Sequence, residues 1–233
     1  MKKAVVITGA SRGIGKAMSL EMVGAAQSFD LVMIARKSDA FDRTFAEVSE
    51  IASDRQIVKI EADLSNPDVT ADIFDTLEGQ GIEVETIINN AGFTKPASIN
   101  ETSMEDFEHT MQVNLYSPFK MIQTALNRGH LLKRIINIAS TAGIVGRAGW
   151  LSYSASKAAL INMSEVLREE LKPVGIEVIS LSPGRCATDL RKQLAPDEDP
   201  STIMQPEQVA RVVAFMMSEN GALINSENVV VRL

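Results

Sequence analysis

Few features that mark a specialised class of protein occur in this sequence. A single cysteine, Cys186, excludes an intrachain disulfide in a 233-residue chain and suits a reducing compartment such as the cytoplasm. Aromatic residues make up 5%, and the only 2 histidines, His109 and His130, lack partners at metal-ligand spacing, so no metal site is expected. No apolar run approaches the ~18 residues of a membrane span. After Met1-Lys2-Lys3, the residues Thr8-Gly9 and Arg12 cut the apolar run well short of a secretory signal. Positive charge is scarce as well. The 23 Lys and Arg against 30 Asp and Glu leave a net charge of -7, which opposes docking on nucleic acid or on anionic lipid. Internal repeats, low-complexity tracts and Gly/Ser linkers are missing too, so residues 1–233 are expected to form one domain.

What is present is a soluble composition, 45% hydrophobic and 23% charged, arranged as short apolar runs between longer amphipathic stretches. The runs Ala4–Thr8, Leu31–Ala35, Ile57–Ile60, Thr86–Asn89, Arg134–Ala139, Glu177–Leu181 and Asn228–Val231 read as strands. Helices are expected near Gly15–Gln27, Asp42–Ala52, Pro67–Leu77, Ser103–Arg128, Ser152–Lys172 and Pro206–Ser218, with Pro67 and Pro206 in first turns. This alternation implies an α/β fold: a single doubly wound parallel sheet of about seven strands with helices on both faces, of Rossmann type. The acidic segment Ala195–Ser201 reads as a solvated loop.

The first strand runs into Thr8-Gly9-Ala10-Ser11-Arg12-Gly13-Ile14-Gly15, and a helix opens at its end. Glycines permit the tight bend and a close ligand approach, while the helix N-terminus offers unpaired N–H groups to a pyrophosphate. The spacing G-x-x-x-G-x-G differs from the commonest dinucleotide fingerprint. Strand two ends Ala35-Arg36-Lys37, where an acid would hold the ribose 2′-hydroxyl of NAD; Arg36 and Arg12 instead suit a 2′-phosphate, hence NADP(H). Asp63, ending strand three, either accepts from an adenine amino group or caps a helix. Asn89-Asn90-Ala91-Gly92 allows close backbone approach at the end of strand four.

In Ser152-Tyr153-Ser154-Ala155-Ser156-Lys157 the tyrosine and lysine stand at i and i+4 on one helical face. The ammonium is expected to lower the phenol pKa toward working pH, as proton exchange with a carbonyl or alcohol requires. The same spacing also describes a half-buried tyrosine beside a snorkelling lysine. Ser140, at the end of strand five, adds a hydroxyl that can hold a substrate oxygen near the phenol.

This ordered set, the glycine turn, Asn89-Asn90-Ala91-Gly92, Ser140, Tyr153 and Lys157, resembles the short-chain dehydrogenase/reductase family over nearly the whole chain. The resemblance implies that Tyr153 is the general acid/base, that Lys157 tunes it and holds the nicotinamide ribose, and that Ser140 positions the carbonyl. It assigns Asn114 to a proton-relay water, and matches Ser182-Pro183-Gly184-Arg185-Cys186-Ala187-Thr188 to the family's Pro-Gly segment after strand six, with Thr188 at the position that holds the nicotinamide carboxamide. Ala35 followed by Arg36 is similar to the family's NADP-preferring pattern. The implied function is NADPH-dependent reduction of a small carbonyl compound to an alcohol. The alternatives are a sugar-nucleotide epimerase or dehydratase, which usually carries more than the 45 residues that follow Thr188, and a non-catalytic NADP(H)-binding sensor or scaffold.

Loops 141–151 and 185–205 are expected to frame the substrate. Arg147, Arg185 and Arg191 there either bind an anionic group or are solvated, and Trp150 either walls the site or packs on a helix. Apolar positions on the two long helices, Met111, Leu115, Phe119 and Ile122 with Ala155, Ala159, Met163 and Val166, suit a homodimer or simple core packing. The final Val229-Val230-Val231-Arg232-Leu233 lacks the glycine-rich tail common in the family, which puts a tetramer built from it in doubt.

Overall fold

The computed structural model of the chain describes residues 2–24, 29–52, 55–221, 223–224 and 228–233. Its strands are β1 (Lys2–Thr8), β2 (Asp30–Ala35), β3 (Ile57–Glu61), β4 (Ile82–Asn89), β5 (Arg134–Ile138), β6 (Glu177–Pro183) and β7 (Asn228–Val231). All pair in parallel, in the order β3-β2-β1-β4-β5-β6-β7. The helices are α1 (Gly13–Gly24), α2 (Asp39–Ile51), α3 (Val69–Gly79), α4 (Met104–Met111), α5 (Ser117–Asn127), α6 (Leu151–Leu171), α7 (Asp189–Leu194) and α8 (Pro206–Met217).

Period-two alternation divides the core between the two faces of the sheet. Val5, Ile7, Leu31 and Met33 pack on the face covered by α1 and α8, with Met18, Met22, Val209 and Val213. Their neighbours Ala4, Val6, Val32 and Ile34 pack on the other face against Phe74 of α3 and Met121 of α5. The strand order reverses between β1 and β4, so a crevice opens outside the carboxyl ends of these two strands.

Several boundaries differ from the sequence reading. β4 starts at Ile82, because Val84 is as fully buried as the residues after the interrupting Glu85. Pro67 is not in a first helical turn: Asn66 Oδ1 accepts from the Asp68 amide at 3.0 Å, and α3 starts beyond that turn. Pro206 does open α8, with Gln208 Oε1 accepting from the Gln205 amide at 2.8 Å. Residues 25–27, expected to end the first helix, lie outside the described residues. The long helix is broken by a π turn at Gln112–Tyr116, where the Ser117 amide donates to the carbonyl of Gln112. Loop 185–205 contains α7, which is too short to display a helical period but is capped by Thr188 Oγ1, the acceptor of the Arg191 amide at 3.1 Å. Among the described residues, no helix is long and apolar enough to cross a membrane.

Candidate active site

The turn after β1 is held by backbone contacts. Gly9 and Gly13 have φ of +67° and +55°, which disfavour any side chain. A Cβ on Gly15 would lie 2.1 Å from the Gly9 carbonyl oxygen, and one on Gly9 would lie 2.8 Å from Ala91 Cα. Thr8 Oγ1 accepts from the amides of Asn90 and Ala91 at 2.9 and 3.0 Å, and Asn90 Nδ2 donates back to the Thr8 carbonyl at 2.9 Å. The Asn90 side chain thus locks the turn, and Asn90, Ala91 and Gly92 line the cleft. The first turn of α1 has no acidic residue, and its N–H groups at Gly13, Ile14 and Gly15 have no helical acceptor. This is an anion-ready helix start.

Beside it, Arg36 and Lys37 are exposed, and neither pairs with an acid among the described residues. Arg12, expected to join them, instead meets Asp189 of α7 across the cleft at 3.1 Å. Asp63 neither caps a helix nor is free: its Oδ1 accepts from the Ser65 amide at 3.0 Å. Burial opposes its ionisation, but the Ser65 hydrogen bonds and the Arg36 charge outweigh that and hold the carboxyl below its usual range.

Deeper in the cleft, α6 is fixed by a buried polar ladder. Asn89 Nδ2 donates to Asn137 Oδ1, and Asn137 Nδ2 donates to Ser164 Oγ, both at 2.8 Å. These bonds join β4, β5 and α6, and breaking one would leave a buried amide unsatisfied. Gly143, which the sequence reading passed over, presses the turn after Ser140 onto α6: a Cβ there would lie 2.6 Å from the Lys157 carbonyl carbon. Ser140, Tyr153 and Lys157 therefore line one wall of the cleft, with Tyr153 7% and Lys157 4% exposed.

The electrostatics of this wall correct the sequence expectation. Burial raises the Tyr153 pKa; a hydrogen bond from Ser140 and the charge of Arg191 oppose the rise without cancelling it. Lys157 Nζ donates to the Ile138 carbonyl at 2.8 Å and stands 6.0 Å from the centre of the tyrosine ring. Burial pushes its own pKa down to about 8. The Arg191 charge thus joins the Ser140 hydrogen bond in opposing the rise.

Asn114 is wholly buried, and its amide is engaged on both sides. Oδ1 accepts from the Phe93 amide at 2.7 Å, and Nδ2 donates to the Phe93 carbonyl and to Ser156 Oγ, each at 2.9 Å. Pro118 has no N–H, so the backbone carbonyl of Asn114, four residues earlier, lacks an α-helical donor. Pro183 ends β6, and the Gly184 amide donates to the Val231 carbonyl at 2.7 Å. Thr188 faces the glycine turn, since a Cβ on Gly13 would approach its Cγ2 to 3.2 Å.

The far end of the cleft holds a side-chain assembly that the sequence left open. Glu198, read as solvated, grips Arg191 with two bonds, Nε to Oε2 at 2.6 Å and Nη2 to Oε1 at 2.7 Å, and also takes Arg185 Nη1 at 3.3 Å. Such a fork-to-fork pair fixes a guanidinium plane. Trp150 lies beneath Arg191 and packs with Leu190 against a small cluster formed by Ala142, Tyr153 and Leu194. His109, edge-on to Phe93 at 4.3 Å, also lines the cleft; no spacing signal marked it.

The family model for short chain dehydrogenase matches residues 3–199. A 3-oxoacyl-[acyl-carrier-protein] reductase from Synechocystis sp. is 31% identical over 94% of this chain and 91% of its own length. An acetoacetyl-CoA reductase from Acinetobacter sp. is 29% identical over 97% of this chain and 94% of its own. The crystal structure of a short chain dehydrogenase from Burkholderia cenocepacia in complex with NADP has a TM-score of 0.85 and 28% identity, covering 98% of this chain and 96% of that one. With this family match over most of its length and these relatives alongside it, the chain belongs to the short-chain dehydrogenase/reductase family of oxidoreductases.

Proposed function

We propose that the protein uses NADPH to reduce a small carbonyl compound to its alcohol, with Tyr153 as the proton donor. The observation that carries this reading is the meeting of Ser140, Tyr153 and Lys157 on a buried wall of the cleft that also contains the glycine turn. Carbonyl reduction is also what the names of the Synechocystis and Acinetobacter relatives describe, and the Burkholderia neighbour holds NADP.

The residues present fit such a cofactor. The acid-free start of α1, with Gly9, Ser11, Gly13, Ile14 and Gly15, suits a pyrophosphate, and Ala91 and Gly92 leave room for close approach. Arg36 suits a 2′-phosphate, joined by Arg12 when it parts from Asp189. Asp63, just beyond β3, suits the adenine side, and Pro183, Gly184 and Thr188, at and beyond the end of β6, suit the nicotinamide side; all four line the cleft. When bound, the nicotinamide supplies the hydride.

The chain's own residues handle the oxygen and the proton. The Ser140 hydroxyl and the Tyr153 phenol hold the carbonyl oxygen and meet the negative charge that develops there. A phenol whose pKa is raised by burial stays protonated at neutral pH, the state from which it gives its proton to the new alkoxide. Asn114, tied to α6 through its side-chain bond to Ser156 Oγ, suits the positioning of a relay water that restores the proton. Cys186 is buried and its thiol pKa is pushed up to about 12, consistent with an inert thiol in a cytoplasmic protein. Phe119 and Val166, exposed on α5 and α6, support a homodimer across these helices; Ile122, grouped with them on sequence, belongs to the core.

The test is NADPH oxidation across neutral and anionic ketones and aldehydes, comparing the parent protein with Tyr153→Phe. Turnover is expected to fall about 10²–10⁴-fold, the range of a positioned general acid. Full turnover by the variant would remove Tyr153 from the mechanism, and NADPH binding without oxidation of any carbonyl would favour a sensor or scaffold.

A further inference from the structure

The cleft, about 630 Å³, gathers positive charge in a protein of net charge -7. Most of that charge already has a place. Arg12 faces Asp189, Arg185 and Arg191 face Glu198, and Lys157 is bonded to the Ile138 carbonyl. Arg36 and Lys37 stand at the nucleotide end. Arg147 remains: it lines the far end, is exposed, and has no acidic partner among the described residues.

Arg147 is not a loosely hung surface residue. Its guanidinium lies over the Trp150 ring at 5.6 Å, while Arg191, gripped by Glu198, lies 5.3 Å from the centre of the same ring. Cation–π contacts of this kind orient a guanidinium while leaving its N–H fork unpaired. The backbone beneath is tied down as well. The Trp150 amide donates to the Arg147 carbonyl at 3.1 Å, Gly149 turns the chain with φ of +78°, and its carbonyl accepts from the Ala97 amide at 3.0 Å. Trp150 in turn packs on the cluster that contains Tyr153. The unpaired fork and the Tyr153 phenol therefore line the same cleft, with Trp150 bridging from Arg147 to the cluster that holds Tyr153.

We propose that the substrate is a small oxo acid, with a carboxylate a few bonds from its carbonyl, and that Arg147 stacked on Trp150 is the specificity-determining residue that binds it. The inference rests on the reductase reading of the same cleft and adds the substrate class. A planar fork matches a carboxylate with two parallel hydrogen bonds, and a fork that lines the same cleft as Tyr153 suits an anion carried by the substrate itself. A thioester carried on coenzyme A or a carrier protein has its phosphates far down a flexible arm and places no charge at this position.

The experiment measures binding to the NADPH-loaded protein, by calorimetry, of a series of 2-, 3- and 4-oxo acids and their methyl esters. At least one acid is expected to bind about tenfold or more tightly than its ester. Arg147→Gln is expected to erase that difference while NADPH affinity and ester binding stay unchanged, and Arg147→Lys to keep part of it. Equal binding of every acid and ester, failure of all acids to bind, or a preference that survives Arg147→Gln overturns the inference. NADPH oxidation is followed separately, so reduction of esters without acid preference leaves the reductase reading standing, and acid preference without any turnover does the reverse.

Discussion

At one end of the cleft the wall is backbone: Gly9 and Gly15 approach Ala91 and the chain itself so closely that a methyl group has no space. At the other end the wall is side chain: α7 is capped by Thr188, and its Arg191 is gripped by Glu198 above the Trp150 ring. The first arrangement admits one residue type at each position and suits any ligand that presents a phosphate. The second can exchange its side chains without moving the sheet. The part common to many reactions is thus built from the least adjustable atoms, and the part that selects a substrate from the most adjustable.

The sharpest way to break this contrast is Gly15→Ala. Because the added Cβ would overlap the Gly9 carbonyl, NADPH affinity is expected to fall by about a hundredfold or more, read by fluorescence titration alongside circular dichroism. Unchanged affinity would show that the turn yields as easily as the far wall.

Lys157 stands between the two ends and tests whether the wall it belongs to is built for stability. Burial holds its pKa down to about 8, so below that value the native state carries a charge that water no longer solvates. Between about 8 and the unfolded value near 10.5 the unfolded chain binds more protons, so stability rises with pH across that window. Lys157→Met is expected to stabilise the cofactor-free protein at pH 7 by roughly 2 kcal/mol, after allowing about 1 for the lost bond to Ile138, and to abolish the rise. Urea unfolding at pH 7 and at pH 9.5 measures both; a variant less stable at pH 7 would contradict the argument.

The smallest effect is expected at the exposed rim. Arg36→Asp should shift the ratio of NADPH to NADH affinity about tenfold toward NADH, because a rim charge acts through solvent. Equal losses for the two cofactors would remove the 2′-phosphate from Arg36.

Legibility in the sequence followed the same division. The alternation of strands and helices, the glycine turn and the Ser140, Tyr153 and Lys157 set depend on local chemistry and on period, both visible in a string of residues. Glu198 was read as solvated because it sits among Asp197, Asp199 and Pro200; its pairing with Arg191 needs a helix of six residues that shows no period. The ion pair of Arg12 with Asp189 was not legible, because nothing in the chain order brings Asp189 opposite Arg12. The direction of the Tyr153 shift was missed for a related reason: helical spacing places Lys157 nearby, but only the fold reveals that burial dominates and that Lys157 Nζ is turned to Ile138. Gly143 carried a readable signal, a glycine three residues after the serine, whose meaning depends on how closely α6 approaches.

That approach has a wider implication. With the loop at residue 143 seated directly on the α6 main chain, the segments that carry Ser140 and Tyr153 are braced against each other backbone to backbone, with no side chain between them to exchange. A side chain such as Arg147, which reaches the cleft from outside that brace, can then be exchanged while the Ser140–α6 contact stays in place.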